Sequence, residues 1–299
     1  MRYRPHEHLI EPARASAGLG RLAAGVISFI AAFVLLSMII SALINTVAQS
    51  LLSPMMRPFW DQDLANASSP LAALVNLYFF LAMVFALAIA LWLVHQRPLR
   101  GLVGPFALAL RQAVRVIKAT VPILLLTLVL PMPEGMEMRL NIAPGLWAAL
   151  LPLTLVGLLI QTSAEELAFR GYLQSQLAAR FSHPLIWIGL PSLLFGLLHY
   201  DPHIDSTSAG IVVLWATCFG AATADLTARS GTLGPAIALH FVNNSGAIAL
   251  AAPEGNFDGL ALFAFPFSIE EADKVLSLMP VEMLVLLCSW LAARLALRV

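Results

Sequence analysis

Two adjacent acids, Glu165 and Glu166, interrupt one of the most apolar stretches of this 299-residue chain, Gly145 to Gln174, and Arg170 follows one helical turn later. Charge at membrane depth is costly, so such residues mark either function or internal pairing. Glu166 and Arg170 are four apart and stack on one helix face, where they can neutralise each other. Glu165 projects about 100° away and is not held by that arginine in the same way. Two other apolar segments carry polar side chains. His199 ends Leu190–His199, with Phe195 one turn before it to brace the imidazole, and His240 and Asn244 share a face of Gly234–Leu250. Taken singly, a His or Asn in a membrane helix is more often an interhelical hydrogen bonder than a catalyst. Together, five ionisable groups and an amide on three helices imply a polar, hydrated cavity.

Such a cavity has the parts for hydrolysis. A carboxylate beside a neutral imidazole can orient and deprotonate water. A second imidazole and an amide N–H can stabilise the oxyanion formed when that water attacks a carbonyl. The set suits cleavage of an amide without a covalent intermediate. Thr162, Ser163 and Ser245 lie close by in sequence, but no GxSxG elbow or Ser-His-Asp order accompanies them. Glu165, His199 and His240 could instead ligate zinc as in hydrolytic zinc sites. HExxH is absent, so the first expectation is no cofactor, and zinc is the alternative.

The elements that must hold these groups are membrane helices. The chain is 60% apolar and 11% charged with a mean hydropathy of +0.84, against about 25% charged in ordinary soluble domains. Helices needing about 20 apolar residues to cross a bilayer can be placed at 22–48, 71–94, 116–131, 146–179, 185–200, 209–228, 233–252 and 280–297. The expected fold is therefore all-α and polytopic, with about eight transmembrane helices and a Pro152 kink early in the fourth. The first stretch is too long for a signal-peptide core and reads as a retained helix.

Loop charges give the orientation. With the N-terminus inside, 14 of the 17 Lys and Arg fall on the inner side, leaving Arg57, Arg139 and Lys274 outside. Even with Arg170 discounted as intramembrane, this bias places both termini in the cytoplasm of a cell (inner) membrane protein. Residues 97–117 read as a basic amphipathic helix on the inner face, and 253–279 as an outer aromatic-belt loop. Cys218 and Cys288 read as small buried hydrophobes. The chain divides into 1–144, the first three helices with the amphipathic segment; 145–252, the polar core; and 253–299, the outer loop and last helix.

Depth limits which groups can meet. Glu165 lies 17 residues before Ser182 and His199 lies 17 after it, so in an antiparallel hairpin both reach about 25 Å above the turn. His240, about nine residues past Ser230–Gly231, is nominally some 10 Å shallower, unless the fourth helix projects out of the membrane before turning.

Glu165-Glu166-LAF-Arg170 fits EExxxR, Phe195-GLL-His199 fits FxxxH, and His240-FVN-Asn244 fits HxxxN. In that order and on those helices they resemble the CPBP (CAAX protease and bacteriocin-processing, Abi) family of intramembrane proteases, which includes the Rce1-type prenyl-protein endopeptidases. The resemblance covers about 145–252, while the remaining helices match only in number. It implies an Rce1-like bundle and a glutamate-dependent peptidase, although family members have often been labelled metalloproteases. By position, Glu165 resembles the general base and His199 the residue holding the attacking water. His240 and Asn244 resemble the oxyanion-stabilising pair. Glu166 and Arg170 would support the site, Glu166 sharing in catalysis. The implied partners are the bilayer and a membrane-associated protein or peptide substrate, CAAX-type or other, and not nucleic acid. Two rival readings are a non-catalytic membrane scaffold or chaperone and a transporter using the acids as proton relays. The second lacks a symmetrical pair of broken helices.

Overall fold

The computed structural model describes residues 3–299; Arg2, one of the basic residues assigned to the inner side, lies outside them. Five helices are long and apolar enough to cross a membrane: α2 (Leu19–Leu51), α4 (Pro70–His95), α6 (Pro144–Arg180), α8 (Ser206–Ser230) and α10 (Ala272–Leu297). Short helices α1 (Glu7–Arg14) and α3 (Arg57–Asn66) precede α2 and α4. The other three expected spans are present as helices that do not meet that standard. These are α5 (Phe106–Thr127), α7 (Leu185–Leu197) and α9 (Gly234–Asn244, prolonged by wider turns over Ser245–Leu250). Large apolar side chains such as Ile27, Phe85, Leu198 and Leu295 remain exposed on the bundle's outside, as expected where the solvent is lipid rather than water.

Two local expectations are corrected. The basic segment 97–117 and the span 116–131 are not separate elements: nothing breaks the helix between Phe106 and Thr127, so α5 carries a basic first half straight into an apolar second half. The outer segment 253–279 is not a plain loop. Its start pairs into a small sheet of order β1–β3–β2, with β1 (Arg139–Leu140), β2 (Ala251–Pro253) and β3 (Phe263–Phe265). Leu140 faces Phe263 in the antiparallel ladder, and the Asn141 amide donates to the Asp258 and Ala261 carbonyls at 2.7 and 3.0 Å. Strands this short leave a weak hydropathy signal, because the pairing is long-range. The cysteines also depart from expectation, Cys218 being half-buried and Cys288 exposed.

Close helix approach builds the core around the acids. A Cβ on Gly196 of α7 would strike the Thr217 hydroxyl of α8, and one on Gly220 of α8 would lie 3.1 Å from both the Ser192 Cα and the Arg170 Nη2. Small residues let the two backbones approach as membrane helix pairs commonly do. Helix α9 packs between α5 and α6, and α10 covers α5 and α8.

The N-terminal segment closes the end of the bundle where Arg180, Arg229 and Arg294 lie. The Tyr3 hydroxyl donates to Asp225 at 2.8 Å, and Ser16 meets His95, whose other nitrogen lies 2.9 Å from the Tyr172 hydroxyl on α6. His6 is fully buried against Trp187, at 5.1 Å between ring centroids, and neither of its nitrogens is hydrogen-bonded. Burial pushes its pKa from 6.5 down to about 4, with neighbouring Glu7 acting weakly the other way. Docking of this segment is thus fully supported above pH 6.5 and weakens as the pH falls toward 4, by at most about 3 kcal/mol. Hydrogen exchange of residues 4–14 should accelerate over that range, and His6→Leu should flatten the dependence.

Candidate active site

The two acids sit where α6 changes geometry. Regular α-helix runs to Glu166, and Leu167–Gln174 form wider, π-type turns. Pro152 lies inside the regular part, which runs through it without interruption. The departure from α geometry next to the acids was not expected; such π segments often occur at functional sites.

Burial of the ionisable groups is nearly complete. Glu166 and Arg170 have no exposed surface, Glu165 keeps 7% and His240 4%. Arg170 Nη1 donates to Glu166 Oε1 at 3.2 Å, the ion pair that the spacing predicts. Its guanidinium also lies over the Phe195 ring at 4.4 Å, a cation–π contact that substitutes for water. His240 Nδ1 lies 2.8 Å from the same Glu166 oxygen. With Glu166 Oε1 already accepting from Arg170, the proton belongs on Nδ1, and the Nε2 lone pair is left to face Glu165 Oε2 at 3.7 Å. That separation is too long for a direct hydrogen bond, and Glu165 Oε2 has no other partner.

His240 therefore lies beside the acids, at their level and not some 10 Å shallower. Gly171 packs against Leu233 at the start of α9, five residues past Glu166 and seven before His240. Helix α6 continues nine residues beyond that level to Arg180, about 13 Å at the α-helical rise. This overrun removes the mismatch, because the hairpin from α6 to α7 turns well beyond the turn from α8 to α9.

The far side of Glu165 is held by a residue the sequence reading passed over. Gln161 Nε2 donates to Glu165 Oε1 at 3.2 Å, and Gln161 Oε1 accepts from Asn244 Nδ2 at 3.0 Å. The signal was available: Gln161 is a polar residue one turn before Glu165 in the same apolar run. Asn244 thus joins the site through Gln161, and it accepts from Asn243 at 3.1 Å.

His199 is placed differently. It is exposed at the end of α7, its Nδ1 is 2.8 Å from the Phe195 carbonyl, and its ring lies 4.7 Å from the Phe195 ring. Phe195 in turn meets the His240 ring edge-on at 6.0 Å. Phe195 is thus the hinge of the cluster, and His199 stands at its rim with Nε2 free, without touching Glu165. The hydroxyls of Thr162 and Ser245 are bonded to the Leu158 and Phe241 carbonyls of their own helices.

Zinc does not fit these residues as they stand. Among the described residues no three His, Cys, Asp or Glu side chains are grouped to hold a metal. Glu165 and His240 converge, but His199 does not join them.

Part of the chain matches a known family. Residues 146–246 match the type II CAAX prenyl endopeptidase Rce1-like family, and all the polar groups described above fall within those bounds. The uncharacterized protein YyaK of Bacillus subtilis (strain 168) is 31% identical over 114 residues, which make up 38% of this chain and 37% of that protein. The chain thus matches little more than a third of that relative's length. No solved structure matches. The buried acids, the histidine between them and the helices that carry them accordingly make residues 146–246 an Rce1-like domain of the CPBP family, set in an all-α membrane protein.

Proposed function

We propose that the chain is an intramembrane endopeptidase that hydrolyses a peptide bond of a membrane-associated protein or peptide with water activated by Glu165. One observation carries this reading: the relay Asn244–Gln161–Glu165···His240–Glu166–Arg170, whose one gap sets the unpartnered Glu165 Oε2 3.7 Å from His240 Nε2, where the attacking water is placed. Glu166, neutralised by Arg170, fixes the His240 tautomer, so Nε2 accepts a hydrogen bond from the water while Glu165 takes its proton. The hydroxide adds to the carbonyl carbon with its remaining hydrogen still hydrogen-bonded to Nε2, and the proton on Glu165 passes to the leaving amine as the C–N bond breaks. His199, at the rim with Nε2 free, is placed to meet the substrate carbonyl or the water as they enter. No step requires a metal. The site opens inside the membrane, with the termini on the inner side according to the loop charges.

The test is turnover of quenched fluorescent peptides by purified protein in detergent, before and after exhaustive chelation. Cleavage that survives with metal far below stoichiometric supports the glutamate mechanism; activity lost and restored by zinc would favour the metal reading. Failure to cleave any peptide in detergent or in lipid nanodiscs would favour the scaffold reading.

Gln161 gives a finer check. Gln161→Ala leaves Glu165 Oε1 without its donor, and a hydrogen bond to a charged group is worth about 1.5–3 kcal/mol. A fall in kcat of about tenfold to a hundredfold is expected with KM nearly constant, because the residue positions the base and does not bind substrate. A change confined to KM would remove that role.

A further inference from the structure

The catalytic relay leaves one intramembrane acid unexplained. Glu282 lies in α10, ten residues from its start, in the run Leu276–Leu287. An acid inside an apolar span needs water, a proton or a cation. Among the described residues Glu282 has no hydrogen bond or ion pair, and no charged group acts on it.

Its direction is set by helix geometry. At 100° per residue, Glu282 shares a stripe with Val275, Leu278 and Met279 above it and Leu286 and Ser289 below it. The first three are half-buried and the last two buried, so this stripe is the inward face of α10. Glu282, at the centre of that face, is nevertheless exposed. It therefore lies exposed on the side of α10 that turns toward the bundle. The lipid-facing positions are Val281, Leu284 and Leu291, on the other side.

Its depth is that of the catalytic cluster. Helices α8 and α10 run side by side in one direction: Trp290 Nε1 donates to Asp225 Oδ2 at 3.1 Å, and Cys218 and Ala222 share a groove with Met283 and Leu287. Glu282 is eight residues above Trp290 and Phe219 six above Asp225, about 12 Å and about 9 Å along the axes. The Phe219 ring lies 4.9 Å from that of His240. Glu282 thus lies on the inward side of α10 within about 3 Å of the depth of His240, on a helix that touches α9.

We propose that Glu282 is a recognition subsite for a cationic group on the bound peptide: a Lys or Arg side chain, or an N-terminal ammonium. The proposal rests on the reading of the neighbouring site as a peptidase. Glu282 supplies an acid on this face that, among the described residues, no base pairs with, and an incoming cation can pair with it.

The experiment measures equilibrium binding of labelled apolar peptides to full-length protein carrying Glu165→Gln, so that cleavage plays no part. Paired peptides carry Lys or norleucine at one position, scanned along the sequence. At one register the Lys peptide should bind about tenfold more tightly than its partner, a preference that is lost in Glu282→Gln and reversed toward a Glu peptide in Glu282→Lys. Absence of any Lys preference, or its persistence in both correctly folded variants, would overturn the proposal. Turnover of the same peptides by protein retaining Glu165 separates the two ideas: binding preference without cleavage sinks the peptidase reading alone, and cleavage without preference sinks the subsite alone.

Discussion

Glu165→Gln lowers peptide turnover by about 10²–10⁴-fold, the range for loss of a general base, and leaves the protein folded. Glutamine matches the shape of the carboxylate. Its carbonyl still accepts from Gln161, and its amide takes the place of Oε2, which has no hydrogen-bond partner to lose. No hydrogen-bonded group loses its partner, so the loss reports chemistry and not collapse. The measurement is kcat on a quenched peptide, with thermal unfolding in the same detergent as control. Undiminished turnover with an unchanged melting curve would remove Glu165 from the role of base and pass attention to Glu166.

Arg170→Met has the largest expected effect on stability. Arg170 is fully buried, and Glu166 beneath it is equally closed off. Its Nε and Nη2 have no hydrogen-bond partner, so ion pairing at 3.2 Å and the Phe195 ring carry the charge. Removing the guanidinium strands the Glu166 carboxylate with His240 alone, and breaking a buried pair from one side costs about 3–5 kcal/mol. The double variant Glu166→Gln, Arg170→Met should recover most of that loss, because an uncharged pair in an apolar setting has no desolvation to offset. It should not recover activity, since the neutral amide no longer favours the His240 tautomer that leaves Nε2 open. Denaturation of the three proteins in one detergent tests this, and equal stability of the single variant and the wild type would show that the pair carries no such energy.

Much of this was legible in the residues. The i, i+4 spacing alone joined Glu166 to Arg170 and separated Glu165 from both, because a helix sets those angles whatever surrounds it. Hydropathy found the helices for a similar reason: a span must satisfy its own backbone and expose apolar side chains, and both requirements are local. The three motifs in order identified the Rce1-like domain.

Other features required the folded chain. Which histidine meets the acids depends on how far α6 overruns the turn between α8 and α9, a relation between distant segments that residue counting within one hairpin cannot supply. Counting levelled Glu165 with His199, whereas packing placed His240 between the two acids and His199 at the rim. Gln161 joins Asn244 to Glu165 only because α9 lies against α6. The outer sheet pairs strands too short and too far apart to leave a periodic signal. Glu282 gains meaning only when the inward face of α10 is known. The sequence by itself determined the groups, the helices and the family, because each follows from local composition and spacing. The tertiary structure decided which group touches which, because side-chain contact between helices is set by their relative depth and rotation, which no single helix encodes.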